Sequence, residues 1–291
     1  MIFCEIPALI EVIMKKYFVI PMAIALSSCV TSISEDTIFR PNQDNRRDIT
    51  ESMVLDNEAS LPDHVTLKHF RLDTDFGTVT ATLANTGSNR IIVHCGGNAA
   101  ERKTDGVNYL RGLIAFGDIL IFDYPAYGDS EGEISTQHFK ETNLTVATYV
   151  NDLNYEERAV WGQSLGGFIC GDLSKSIEGL NDVVFETTAT NANAVAKVWV
   201  PWYAKLFVKI KIEDGLAAYD NVNALEHFSG DILVLGAAND EQLSIQLSRD
   251  LAAELEKSGQ DVTYIEFPDA THMTVPKQRD FGVKVNAFFG N

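Results

Sequence analysis

The chain has 291 residues, 45% hydrophobic and 22% charged, which is enough apolar material for a packed core and excludes wholesale disorder. Its 23 basic against 41 acidic residues give a net charge of −18, which argues against a nucleic-acid partner because phosphates would be repelled. No apolar run reaches the roughly 18 residues of a membrane-spanning helix, and four cysteines are too few for a disulfide scaffold at this length.

The first legible segment is an address. Lys15 and Lys16 precede a short apolar run, Tyr17 to Leu26, too short to span a bilayer; together they read as the basic and apolar regions of an export signal. Residues 1–13, with Glu5, Pro7 and Glu11, fit no part of such a signal and read as an over-extended start, with Met14 as the expected initiator. The segment 14–28 runs into Leu26-Ser27-Ser28-Cys29, which resembles the bacterial lipoprotein lipobox. That resemblance implies cleavage before Cys29 and a diacylglyceryl group on its thiol. Val30, where an aspartate would favour inner-membrane retention, implies an outer-membrane anchor facing the periplasm. Residues 29–63 are polar and without periodicity and read as a tether, part of which can pack on the domain edge. A flexible chain of that length would reach roughly 30 Å.

From residue 64 to 291 strands and helices alternate. Val65–Leu72 and Thr78–Leu83 read as a hairpin around Asp75-Phe76-Gly77. Short apolar runs at Arg90–Cys95, Asp118–Phe122, Arg158–Trp161, Asp182–Phe185, Asp231–Leu235 and Val262–Phe267 read as buried strands. Helices are expected over Thr104–Phe116, Thr136–Val150, from the glycines after Ser164 to about Lys175, Glu241–Lys257 and Val275–Phe289. This order predicts an α/β fold with a mostly parallel central sheet covered by helices on both faces.

The chemistry centres on Gly162-Gln163-Ser164-Leu165-Gly166, a G-x-S-x-G motif with a strand before and a helix after. The serine must sit on a tight strand-to-helix turn so that its hydroxyl projects, and the flanking glycines remove Cβ atoms that would clash there. Three further motifs accompany it: His94-Cys95-Gly96-Gly97-Asn98, Asp123-Tyr124-Pro125-Ala126-Tyr127-Gly128-Asp129-Ser130-Glu131-Gly132, and the pair Asp240 and His272, each just past a strand. On these motifs residues 65–289 resemble the α/β-hydrolase superfamily, most of all its serine-aminopeptidase-like and acyl-thioesterase-like branch. Ala126 departs from the family, where glycine is usual.

The resemblance implies a nucleophile, Ser164, a base, His272, and an acid, Asp240, in the family's chain order. A serine hydroxyl needs an adjacent base at neutral pH, and that base needs a carboxylate to fix its tautomer. Asp269 is the rival acid. The expected oxyanion donors are the Leu165 N–H and that of Gly97 or Asn98. His94 reads as a structural or positioning histidine, and Cys95 and Cys170 as small buried hydrophobes. No cofactor is implied, and no Cys/His spacing suggests a metal.

About forty-five residues separate the strands ending at Phe185 and starting at Asp231, where the family inserts a small helical cap, expected over 187–228. Thr187 to Ile212 holds no acidic residue but carries Lys197, Lys205, Lys209 and Lys211 with Trp199, Trp202, Tyr203 and Phe207. These aromatics either pack on the body beside the site or face a lipid surface and admit acyl chains. The expectation is a lipid-anchored serine hydrolase of esters or thioesters, with a small-molecule acyl substrate and the membrane as partners. The alternatives are a peptidase or amidase, or a non-catalytic envelope module on the same fold.

Overall fold

The structure, a computed structural model, describes residues 29–41, 53–199 and 208–290. The signal segment lies outside them, as do Trp202, Tyr203, Lys205 and Phe207. In chain order the strands are β1 (Cys29–Ile33), β2 (Thr66–Thr74), β3 (Gly77–Asn85), β4 (Arg90–Cys95), β5 (Asp118–Phe122), β6 (Glu157–Gln163), β7 (Asp182–Glu186), β8 (Val208–Ile212), β9 (Asp231–Ala237) and β10 (Asp261–Phe267). The helices are α1 (Glu35–Ile38), α2 (Arg102–Leu113), α3 (Thr136–Asn151), α4 (Gly166–Leu173), α5 (Ala192–Trp199), α6 (Asp214–Ala217), α7 (Asn221–Ala224), α8 (Ile245–Lys257) and α9 (Phe281–Phe288).

Eight strands form one sheet in the order β10-β9-β7-β6-β4-β5-β3-β2. β2 and β3 are the predicted hairpin, paired from Thr66↔Asn85 to Thr74↔Gly77, and β3 lies antiparallel to β5. The other pairings are parallel. β4, β5 and β7 are buried along their whole length, as strands covered on both faces must be.

Alternation along the strands divides the core in two. Val93, Val160 and Val183 meet Phe139, Val146, Ile169 and Leu251 of α3, α4 and α8. Ile92, Trp161 and Val184 meet Val107, Leu110, Phe281 and Val285 of α2 and α9.

Several expectations are corrected. Within residues 29–63, the described residues 29–41 pack on the body. β1 pairs in parallel with β8, from Cys29↔Val208 to Ile33↔Ile212, and Phe39 is buried against Phe139 with ring centroids 4.2 Å apart. Three β-branched residues of β1, Val30, Thr31 and Ile33, and one aromatic, Phe39, join this segment to the body. The cap is not purely helical either, since β8 supplies the partner strand. Cys95 and Cys170 form a disulfide with Cα atoms 5.9 Å apart, tying the end of β4 to α4. They lie 75 residues apart in sequence, so only the packing of α4 on β4 brings them together. Closing a loop of that length is worth about 4 kcal/mol in chain-entropy terms.

α8 starts at Ile245 rather than Glu241 because the Asp240 carboxylate accepts from the N–H groups of Gln242 and Leu243, forming a turn in place of helix. The last helix is delayed to Phe281 because Val275–Lys277, with Pro276 inside it, makes only a single 3-10 turn.

Candidate active site

β6 delivers Ser164 to the carboxyl end of the sheet with φ +55°, a left-handed conformation that costs a non-glycine residue roughly 1–2 kcal/mol. Neighbouring strands hold it there. Its N–H donates to the Glu186 carbonyl at 2.9 Å, and its own carbonyl accepts from Thr188 Oγ1 at 2.7 Å and from Gly167 N–H at 3.0 Å. The motif glycines are needed for close approach. A methyl on Gly162 would stand 2.5 Å from the Gly166 carbonyl oxygen, and one on Gly166 would stand 2.0 Å from that of Cys95.

The loops after β9 and β10 bring Asp240 and His272 together, with Oδ2 2.7 Å from Nδ1. Both side chains are nearly enclosed, 2% and 6% exposed. The other Asp240 oxygen accepts from Gln242 and Leu243 N–H, both at 2.8 Å, which fixes the carboxylate as an acceptor. The proton of a neutral imidazole therefore sits on Nδ1, and Nε2 is left as the basic nitrogen. The rival Asp269 is exposed. Two contacts join the His272 loop to the serine elbow. Gln163 Nε2 donates to Met273 Sδ at 3.3 Å, and Thr187 Oγ1 donates to the His272 carbonyl at 3.5 Å.

The turn after β4 forms the opposite wall. A methyl at Gly97 would stand 3.6 Å from Ser164 Cβ, so this backbone borders Ser164. Leu165 opens α4 directly after the serine. The Asn98 side chain is engaged elsewhere. Its Oδ1 accepts from Arg40 N–H and Tyr127 Oη, both at 2.9 Å, and its Nδ2 donates to the Ile38 carbonyl at 2.6 Å. Tyr124 Oη donates to the Gly96 carbonyl at 2.7 Å. The second sequence motif thus acts as a brace, its two tyrosines fixing both ends of the Gly96–Asn98 turn. Beneath it, Asp123 accepts from the N–H groups of Arg102 and Asp129 and pairs with the Arg102 guanidinium. Burial pushes its carboxyl up to about 6, partly offset by that guanidinium. Ala126, where the family has glycine, adopts φ +64°, the region glycine occupies without strain.

Ser164 and Leu165 open on a cavity of about 220 Å³ with apolar walls from Phe168, Val195 and Leu216. Sequence reasoning missed its remaining wall. Ile33, Ile38, Phe39 and Arg40 of the N-terminal segment border the same cavity. Of the expected cap residues, Trp199 closes α5, while Trp202, Tyr203 and Phe207 lie outside the described residues. Lys197 and Lys211 are exposed. Among the described residues, no group of three His, Cys, Asp or Glu side chains is arranged to hold a metal ion.

Two buried groups stand out. Burial drives His94 down to about 3, so it stays neutral, consistent with a packing role against Tyr109. Burial drives the Glu186 carboxyl up to about 7, partly offset by the hydrogen bond from Trp161 Nε1 and by His272. The folded state therefore binds more protons than the unfolded one between pH 4.5 and about 7, and this group's contribution to stability falls as pH rises through that window. The cost at pH 8 is about 3 kcal/mol. Glu186→Gln is expected to raise stability at pH 8 relative to pH 5, read by denaturant unfolding at both values. An equal change at the two pH values would contradict this.

The sheet, the elbow and the post-strand acid and histidine define the serine-hydrolase fold shared by esterases and peptidases, the α/β-hydrolase fold. Residues 141–289 match the model of the prolyl oligopeptidase family, peptidase S9, and the chain belongs to that family. Among solved structures it is similar to an esterase from Pyrococcus furiosus, with 14% identity, TM-score 0.59, and coverage of 78% of this chain and 90% of that one. An alpha-beta hydrolase from Vibrio vulnificus gives 16% identity, TM-score 0.61, and coverage of 76% and 80%. An acylaminoacyl peptidase from Pyrococcus horikoshii gives 10% identity, TM-score 0.56, and coverage of 78% and 41%. No curated protein matches the chain.

Proposed function

We propose that the protein hydrolyses carboxylic esters or thioesters through an acyl-enzyme on Ser164. His272 acts as base and then acid, Asp240 holds its tautomer, and the N–H groups of Leu165 and Gly97 receive the oxyanion. The observation that carries this reading is the buried Asp240–His272 pair joined to the serine elbow at the mouth of an apolar cavity. The apolar walls favour an acyl chain. A panel of esters graded by chain length, run beside amides of the same acyl groups, tests it. Ester turnover exceeding amide turnover by orders of magnitude is the expected result. The reverse order would favour the peptidase reading, which the family and the acylaminoacyl peptidase neighbour support.

We further propose that the protein is exported and anchored through Cys29 to the outer membrane, facing the periplasm. The disulfide Cys95–Cys170 supports an oxidising compartment. With Cys29 at the head of β1, the anchor would hold the cap side of the molecule, and so the mouth of the cavity, near the lipid surface. Cys29→Ser is expected to move the protein from the membrane to the soluble fraction; an unchanged distribution would contradict the anchor.

A further inference from the structure

The walls of the Ser164 cavity come from two parts of the chain. Phe168 of α4, Val195 of α5 and Leu216 of α6 belong to the body and its cap. Ile33, Ile38 and Phe39 belong to the N-terminal segment, which contributes none of the triad. In sequence the two isoleucines stand on either side of the polar run Ser34-Glu35-Asp36-Thr37.

The N-terminal segment is fastened at several points. β1 pairs with β8 up to Ile33↔Ile212, and the Ile33 carbonyl accepts from Glu213 N–H at 3.0 Å. Glu35 N–H donates to the Glu213 carboxylate at 2.9 Å, and Thr136 Oγ1 of α3 donates to the Glu35 carboxylate at 2.6 Å. Past the single turn of α1, the Ile38 carbonyl accepts from Asn98 Nδ2, and Arg40 N–H donates to Asn98 Oδ1. Phe39 between them is 2% exposed and stacked on Phe139. Backbone held on both sides of a residue leaves its side chain only rotamer freedom, and a β-branched side chain has little of that. Ile33 and Ile38 are therefore fixed walls rather than a flap.

Both isoleucines are half-buried, unlike Phe39, so part of each faces space that a ligand can fill. Covering that apolar surface with an acyl chain is favourable. The cavity, about 220 Å³, is smaller than the roughly 300–1,000 Å³ of sites that enclose drug-sized ligands. A methylene is close to a water in size, and at about 30 Å³ each the space holds roughly seven. We propose that the N-terminal segment is the acyl-size selector of the enzyme, with Ile33 and Ile38 as specificity-determining residues, and that the substrate carries a short to medium acyl chain no longer than about octanoyl. The proposal rests on Ser164 being the nucleophile of the acyl transfer.

The test is kcat/KM of the full chain on p-nitrophenyl esters from acetate to palmitate, with fluorophosphonate labelling of Ser164 run in parallel. In wild type kcat/KM is expected to rise about fourfold per methylene accepted, up to hexanoate or octanoate, and then to fall. Ile38→Ala is expected to move the optimum to decanoate or longer, and Ile38→Trp to butyrate or shorter. Each changes the octanoate-to-butyrate ratio by about tenfold, in opposite directions. A merely destabilised enzyme loses rate on all esters in proportion and keeps its optimum. Ile33→Ala, expected to lengthen the optimum as Ile38→Ala does, serves as the second variant where Ile38→Trp fails to fold. A palmitate optimum in wild type, or one optimum shared by wild type, Ile38→Ala and Ile33→Ala, overturns the selector. Failure to label Ser164 and to turn over any ester overturns the underlying hydrolase reading instead.

Discussion

Asp240→Asn is expected to lower kcat by a factor on the order of 10⁴ while leaving the fold intact. The reason lies in which oxygen does what. Oδ1 accepts from Gln242 and Leu243 N–H, and Oδ2 faces His272 Nδ1 at 2.7 Å. An asparagine keeps its oxygen on the two backbone donors and turns its NH₂ toward the imidazole. Nδ1 must then accept, the proton moves to Nε2, and the ring can no longer take one from Ser164. Steady-state kinetics on an ester substrate reads the loss, and the unfolding midpoint reads the fold. A loss below about tenfold would return the role of acid to Asp269.

The second large effect is structural. Gly166→Ala would place a methyl 2.0 Å from the Cys95 carbonyl oxygen and 2.6 Å from that of Gly96. Neither backbone can yield easily. Cys95 is buried at the end of β4 and bonded to Cys170 on the same helix that begins at Gly166, and the Gly96 carbonyl is held by Tyr124 Oη. The expected outcome is a destabilisation of about 3 kcal/mol or more, or failure to fold, because a clash between two fixed backbones has no side chain to relax. Gly282→Ala in α9 is the control. A methyl there meets nothing within 4 Å, and the change should stabilise by up to about 1 kcal/mol. Denaturant unfolding of the two variants checks the contrast; similar midpoints would contradict it.

Much of this was legible in the sequence because it is local. The β-branched runs at β4, β5 and β7 need no context to read as buried strands. The glycines around Ser164 announce a turn that only they can make, and Asp240 and His272 each stand a few residues past a strand, so chain order places both at the carboxyl end of the sheet.

What stayed hidden depends on which surfaces meet. Cys95 and Cys170 each sit in apolar surroundings that suit a free thiol as well as a disulfide. The β1–β8 pair joins segments almost 180 residues apart, and β1 alone is five residues long. Phe39 looked like part of a tether because its partner, Phe139, lies a hundred positions on. His94, Gln163 and Glu186 come from three separate strands, and only the parallel register of β4, β6 and β7 sets them side by side.

The N-terminal segment changes how the site is understood. It is part of the wall of the apolar cavity, tied to the Gly96–Asn98 turn by the Asn98 side chain through the Ile38 carbonyl and Arg40 N–H. An anchor at Cys29 and the acyl pocket would then be features of one surface.

An activated Ser164 would be modified covalently by a serine-directed probe. The folded full-length protein is treated with a fluorophosphonate probe and the modified residue located by mass spectrometry. A single adduct on Ser164 is expected, absent in Ser164→Ala and strongly slowed in His272→Ala. Folded wild type that takes no label, or takes it at another residue, would contradict it.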